Sequence, residues 1–176
     1  MIIGMNIILI GMPGCGKSTI GVLLAKSLLY HFTDTDLLLQ NEYGTSLCAM
    51  IEEYGLDGFK ERENKILSEL TCNKTVVATG GSAVYCGSGM ENLKKNGICV
   101  YLKLSPEEID KRIDNITTRG IAMEKGSTIS DLYRERAPLY EKYADITVEC
   151  GDLSVEECLC KVVENIEKYK KEDESD

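Results

Sequence analysis

The sequence has little that would serve a metal centre, a membrane or a polyanion. It holds one histidine, His31. Its eight cysteines, at 15, 48, 72, 86, 99, 150, 158 and 160, form no C-x-x-C pair, so the spacing of a zinc site is missing. Most lie in apolar segments, such as Cys99 in ICVYLKL and Cys158 in VEECLCKVV. They read as small buried hydrophobes in a reducing, cytoplasmic compartment. No apolar run reaches the ~18 residues that a bilayer crossing needs. The amino-terminal MIIGMNIILIGMPGCGKST lacks a basic leader and a small-residue cleavage site, and reads as a core strand. Positive charge is short as well. Twenty Lys and Arg face 29 Asp and Glu, a net charge of −9, with an isoelectric point of about 4.8. That opposes non-specific binding to nucleic acid or anionic lipid. There is no internal repeat and no linker. What is present is an ordinary globular composition, 43% apolar and 28% charged in 176 residues. The expectation is one domain, a monomer, with a small-molecule substrate.

Met5 to Ile10 is a continuous apolar run of the kind buried on both faces of a parallel sheet. After a Gly/Pro loop, Ile20, Leu23, Leu24 and Leu28 line one face of a helix. Further strands are expected at His31 to Thr33, Thr75 to Ala78, Ile98 to Leu104 and Ile146 to Glu149. His31 is expected to be a structural residue at a strand edge. Two helices are expected between Ser46 and Leu70, the second opening near Asp57. Ser105-Pro106-Glu107-Glu108 and Ser154-Val155-Glu156-Glu157 are helix starts of the capping-box type. Ile129 to Tyr143 reads as a helix kinked by Pro138. The tail, 168–176, is expected to fray. Five strands alternating with helices predict an α/β fold with a central parallel sheet. Ligands of such sheets sit beyond the carboxyl ends of the strands.

Gly11-Met12-Pro13-Gly14-Cys15-Gly16-Lys17-Ser18 satisfies G-x-x-x-x-G-K-[ST], with a strand before it and an amphipathic helix after it. The glycines allow a tight turn that aims several N–H groups inward. The helix N-terminus favours anions. Lys17 supplies a cation for the phosphates of ATP, and Ser18 a hydroxyl for Mg²⁺. No N-K-x-D motif marks a GTPase. The third strand ends in Thr79-Gly80-Gly81, without a Walker-B aspartate. A short chain with these features reads as a small-molecule kinase. Asp34 and Asp36 flank Thr35 at a strand end; on an extended segment both carboxylates would face the phosphate loop. One would order the water shell of Mg²⁺ and the other accept a proton from an acceptor hydroxyl. The same run also reads as an acidic turn capping the next helix.

GMPGCGKST, DTD, GFKERE, TGGSAV, an RG pair in a polar loop and RAPLYEKYAD, in that order, resemble the shikimate kinase family over nearly the whole chain. The resemblance implies a P-loop kinase fold with a mobile lid, here about 116–128. It implies transfer of the ATP γ-phosphate to the 3-hydroxyl of shikimate, with Mg²⁺, in aromatic amino acid biosynthesis. Gly14, Cys15, Gly16, Lys17, Ser18 and Thr19 match the ATP phosphate-binding stretch. Ser18 and Asp34 match the metal site. Asp36 matches the residue that holds acceptor hydroxyls and is the candidate base. Gly80 and Gly81 match the backbone near the acceptor, Arg112 a residue packed on adenine, Arg119 the lid arginine, and Arg136 an arginine on the acceptor carboxylate. Taken alone, each of these arginines has a competing, less favoured reading as a surface charge. Intact Lys17, Ser18, Asp36 and Arg119 oppose a regulatory module without turnover.

Three positions depart from the family pattern. Lys60 stands in Phe59-Lys60-Glu61-Arg62-Glu63 where an acceptor-binding arginine is usual, and Arg62 points to another helix face. A lysine lacks the planar fork of arginine, so the carboxylate is expected to be held more weakly, by about 1–2 kcal/mol. Ser82 replaces a glycine and adds a hydroxyl near the acceptor. Gly120 replaces a common proline and is expected to loosen the lid. A kinase of the same architecture acting on another polyol or sugar acid is the second reading.

Overall fold

The computed structural model describes residues 4–112, 120–124 and 126–173. Strands β1 (Asn6–Ile10), β2 (His31–Asp34), β3 (Thr75–Ala78), β4 (Gly97–Lys103) and β5 (Ile146–Glu149) form one sheet in the order β2-β3-β1-β4-β5. Every pairing is parallel. β1 lies at the centre, and its five residues are all buried. That is why it reads as an unbroken run of Ile and Leu. β5, at one edge, alternates buried and exposed. His31 opens β2 at the other edge and is exposed.

Helices α1 (Lys17–Leu28), α2 (Thr35–Tyr43), α3 (Leu47–Glu69), α4 (Gly87–Lys94), α5 (Pro106–Arg112), α6 (Ile129–Tyr143) and α7 (Val155–Asp173) connect and cover the strands. α1 packs Ile20, Leu24 and Ala25 inward. α3 leaves helical geometry at Gly55 (φ 71, ψ 179), so it is two helical pieces, as the sequence indicates. The capping box of α5 forms: Glu108 accepts from the Ser105 N–H at 2.7 Å and the Ser105 hydroxyl accepts from the Glu108 N–H at 3.3 Å. That of α7 forms in the same way. α6 runs through Pro138. α7 continues to Asp173, into the segment expected to fray.

α4 is absent from the sequence reading. Gly87-Ser88-Gly89 lowers helix propensity, yet here it serves packing. A Cβ at Gly89 would lie 2.5 Å from Leu67 Cβ, so only glycine lets α4 approach α3 this closely. The main core surrounds the sheet, and a smaller one (Leu39, Leu47, Met50, Phe59, Ala122) lies beneath α2 and α3. Cys15, Cys86, Cys99, Cys150 and Cys158 are buried in it or beside it, and the thiols of Cys150 and Cys158 touch at 2.8 Å. Among the described residues, no helix is long and apolar enough to cross a membrane.

The amino ends of the strands are stitched by side chains. Asn6 donates to the Cys72 carbonyl at 3.0 Å and accepts from the Thr75 N–H at 3.1 Å. Asp145 accepts from the Cys99 N–H at 2.8 Å and from Lys94 at 2.7 Å.

Candidate active site

Parallel strands end on one rim, and the sequence motifs gather there. The loop after β1, the Asp34–Asp36 segment after β2 and the Thr79–Ser82 segment after β3 surround a cavity of about 540 Å³. Gly16 precedes α1 in the left-handed conformation (φ 96) and offers no side-chain cap. The first amides of α1 therefore remain available to an anion. Lys17 is buried, and its ammonium donates to the carbonyls of Gly11 (2.7 Å) and Met12 (2.9 Å). The Cys15 thiol lies 3.6 Å from Lys17 Nζ and packs in the core. Cys15 thus contributes backbone to the loop, and its side chain is not part of the cavity lining. Gly14, Thr19 and Arg112 do line it. Arg112 is fixed by donation to the Gly151 carbonyl at 2.7 Å.

Ser18 donates to Asp34 Oδ2 at 2.6 Å. Asp34 Oδ1 accepts from the Asp36 N–H at 3.0 Å and caps α2. The extended geometry expected for Asp34 and Asp36 is therefore replaced. β2 ends at Asp34, and Asp36 belongs to the first turn of α2. The turn caps a helix and still carries a carboxylate to the cavity, because Asp36 lines it. Thr35 Oγ1 accepts from the Gly80 N–H at 3.0 Å, which ties the ends of β2 and β3 together.

A Cβ at Gly80 would meet Glu63 Oε1 at 2.5 Å and Asp36 Oδ1 at 2.7 Å. The backbone at Gly80 thus runs between two carboxyl groups. Burial, reinforced by the charge of Asp34 and opposed by Lys17, pushes the Asp36 carboxyl up to about 6. Glu63 is fully buried, and burial pushes it up to about 7, against a hydrogen bond from Ser82. Ser82 Oγ donates to Glu63 Oε2 at 2.6 Å, while Oε1 has no partner. The Ser82 hydroxyl is thus engaged with Glu63. Sequence reasoning passed over Glu63, although it closes the Phe59-to-Glu63 segment in which Lys60 drew attention.

Arg136 is 1% exposed and lines the cavity. Its Nε donates to the Tyr85 hydroxyl at 3.3 Å, and one terminal nitrogen donates to the Ala122 carbonyl. The other, Nη1, lies beside Gly81, 3.0 Å from where a Cβ would be. Lys60 is placed elsewhere. Its ammonium sits 4.5 Å from the centroid of the Tyr85 ring, beside a surface depression that includes Glu124, Asp131 and Glu135, and it is not part of the cavity lining. Arg62 points to a different face, 3.4 Å over the Tyr54 ring. Arg119 and part of the expected lid lie outside the described residues. Gly120 adopts φ 64 and packs so closely that a Cβ would lie 2.7 Å from the Cys48 nitrogen, a fit open only to glycine.

The model of the family described as shikimate kinase matches residues 13–167. The chain belongs to the shikimate kinase family. It is 36% identical over 154 residues to a shikimate kinase of Thiobacillus denitrificans, covering 85% of this chain and 84% of that one. It is 35% identical over 166 residues to one from Enterococcus faecalis, covering 93% and 99%. A solved shikimate kinase from Acinetobacter baumannii in complex with shikimate superposes with a TM-score of 0.87 at 32% identity, covering 94% of both chains. The fold is that of a P-loop kinase, and the protein is a member of a family of small-molecule kinases. Within this shikimate kinase family member, Arg136 lines the cavity and Lys60 does not.

Proposed function

We propose that the chain phosphorylates the 3-hydroxyl of shikimate from ATP, as one P-loop kinase domain acting as a monomer in the cytoplasm. One observation carries this reading. Lys17 and Ser18 of α1, Asp36 of α2 and Arg136 of α6 line one cavity, and Asp34 at the end of β2 bonds Ser18. The amides of the loop and of α1 bind the phosphates, and Lys17, braced by two carbonyls, stays where their charge accumulates. Ser18 and Asp34 offer two hard oxygen donors in contact, which suits Mg²⁺. The ion when bound offsets phosphate charge at the transferring group. Asp36 receives the proton of the acceptor hydroxyl; a carboxyl near 6 is ionised at neutral pH and is a stronger base than an ordinary aspartate. Arg136 pairs with the acceptor carboxylate, and Gly80 and Gly81 admit the ring closely. Arg112 flanks the adenine. Arg119 is assigned to the ATP phosphates by its match to the family's lid arginine. Thiols packed in apolar surroundings support a reducing compartment.

The test is ADP release with Mg-ATP across shikimate, quinate and gluconate. Turnover with shikimate, lost in Lys17→Ala, is the expected result. Signal only with another polyol overturns the acceptor and favours the second reading. Asp36→Asn should lower kcat by about 10²–10⁴-fold.

A further inference from the structure

Tyr85 lies behind Arg136, outside the cavity lining, and has no part in the chemistry above. It closes the 3-10 turn Ala83–Tyr85 that follows Ser82. Its hydroxyl stands between opposite charges, accepting from Arg136 Nε at 3.3 Å and donating to Glu135 Oε1 at 2.7 Å. Its ring carries the Lys60 ammonium at 4.5 Å and the Arg136 guanidinium carbon at 5.2 Å from the centroid. One side chain thus touches both cations expected at the acceptor carboxylate. Lys60 rests on the ring, outside the cavity, and Arg136 lines the cavity.

We propose that Tyr85 is a positioning residue for the acceptor. Its hydroxyl, oriented by Glu135, holds the Arg136 guanidinium in plane at the cavity wall and compensates for the arginine that Lys60 replaces. The inference rests on the shikimate reading. Arg136 is held at Nε by Tyr85 and at one terminal nitrogen by Ala122, which leaves Nη1 beside Gly81. A guanidinium fixed before the acceptor arrives loses little freedom on binding. The run from guanidinium through phenol to carboxylate is mutually polarising, so each bond strengthens the next. Lys60 stacks on this ring, outside the cavity, and does not bond to the acceptor.

Tyr85→Phe tests this, since it keeps the ring and deletes the hydroxyl. Shikimate KM is expected to rise about 5–10-fold, with kcat and ATP KM within about twofold. The melting midpoint should stay within about 2 °C. In an Arg136→Lys background, Tyr85→Phe should add nothing further to the shikimate KM, because the group through which it acts is gone. An unchanged KM in Tyr85→Phe overturns the proposal, and so does an equal rise in both backgrounds. If the unaltered chain gives no shikimate turnover, the substrate assignment itself fails and the proposal with it. Normal turnover with an insensitive Tyr85→Phe removes only the positioning role.

Discussion

Glu63 brings a second carboxyl within reach of the proposed base, and it is fully enclosed. Its pKa rises from 4.5 to about 7 on folding. Between those values the folded chain binds more protons than the unfolded one, so stability falls as pH rises through this window and stays low above it. Glu63→Gln removes the penalty and can still accept from Ser82. It should raise unfolding free energy at pH 8 by on the order of 1–3 kcal/mol, and the gain should vanish below about pH 4.5 in urea titrations. Asp36 gives a separate signal. Because its carboxyl sits near 6, kcat/KM should fall on the acid side with a midpoint near pH 6. A flat profile from pH 5 to 8 would count against Asp36 as the base. Lys17, Ser18, Asp34 and Asp36 were legible because local motifs set their place on the rim, whereas Arg136, inside α6, came only through the family resemblance. Lys60 was not, since its direction depends on the phase of α3 after the break at Gly55 and on the ring of Tyr85. Glu63 was hidden by its type. A glutamate reads as a solvated charge until tertiary packing encloses it.

Helix α5 shows how an element governs a site residue. Its described part, Pro106–Arg112, places Arg112 within two turns of the capping box. Ser105→Ala removes the capping hydroxyl and should cost about 1 kcal/mol of stability. Loosening of the helix start also weakens the hold of Arg112 on the Gly151 carbonyl. ATP KM should therefore rise while shikimate KM stays constant; a rise in both would mean that α5 does not act through Arg112. The caps of α5 and α7 were readable because Ser and Glu stand three apart before a helical pattern. α6 carries a capping box with Thr128 and Asp131, a pairing that the Ser-to-Glu pattern does not match. α4 was missed because Gly87 and Gly89 lower helix propensity, whereas here Gly89 allows close contact with Leu67. The Asp34–Asp36 turn was read with strand periodicity, whereas the helix begins one residue after Asp34.

At the scale of the molecule, the alternation of apolar runs and amphipathic segments was enough for a parallel sheet. Strand order was not, because pairing between distant segments leaves no local mark in the chain. Since the cavity is built from loops after several strands, its ligands should stabilise the whole fold. Mg-ATP at 100 times its Kd should raise unfolding free energy by about 2.7 kcal/mol and the melting midpoint by roughly 5–11 °C. Lys17→Ala should lose most of that shift in a calorimetric scan. The sheet also separates two tasks by direction. Binding groups crowd one rim, while Asn6 and Asp145 sew the other with bonds that involve no ligand. Asn73, exposed on that far side, is therefore a natural handle. A fluorophore or bead tethered there hangs behind the sheet and leaves the mouth unobstructed, so the enzyme can be watched or immobilised without touching its chemistry.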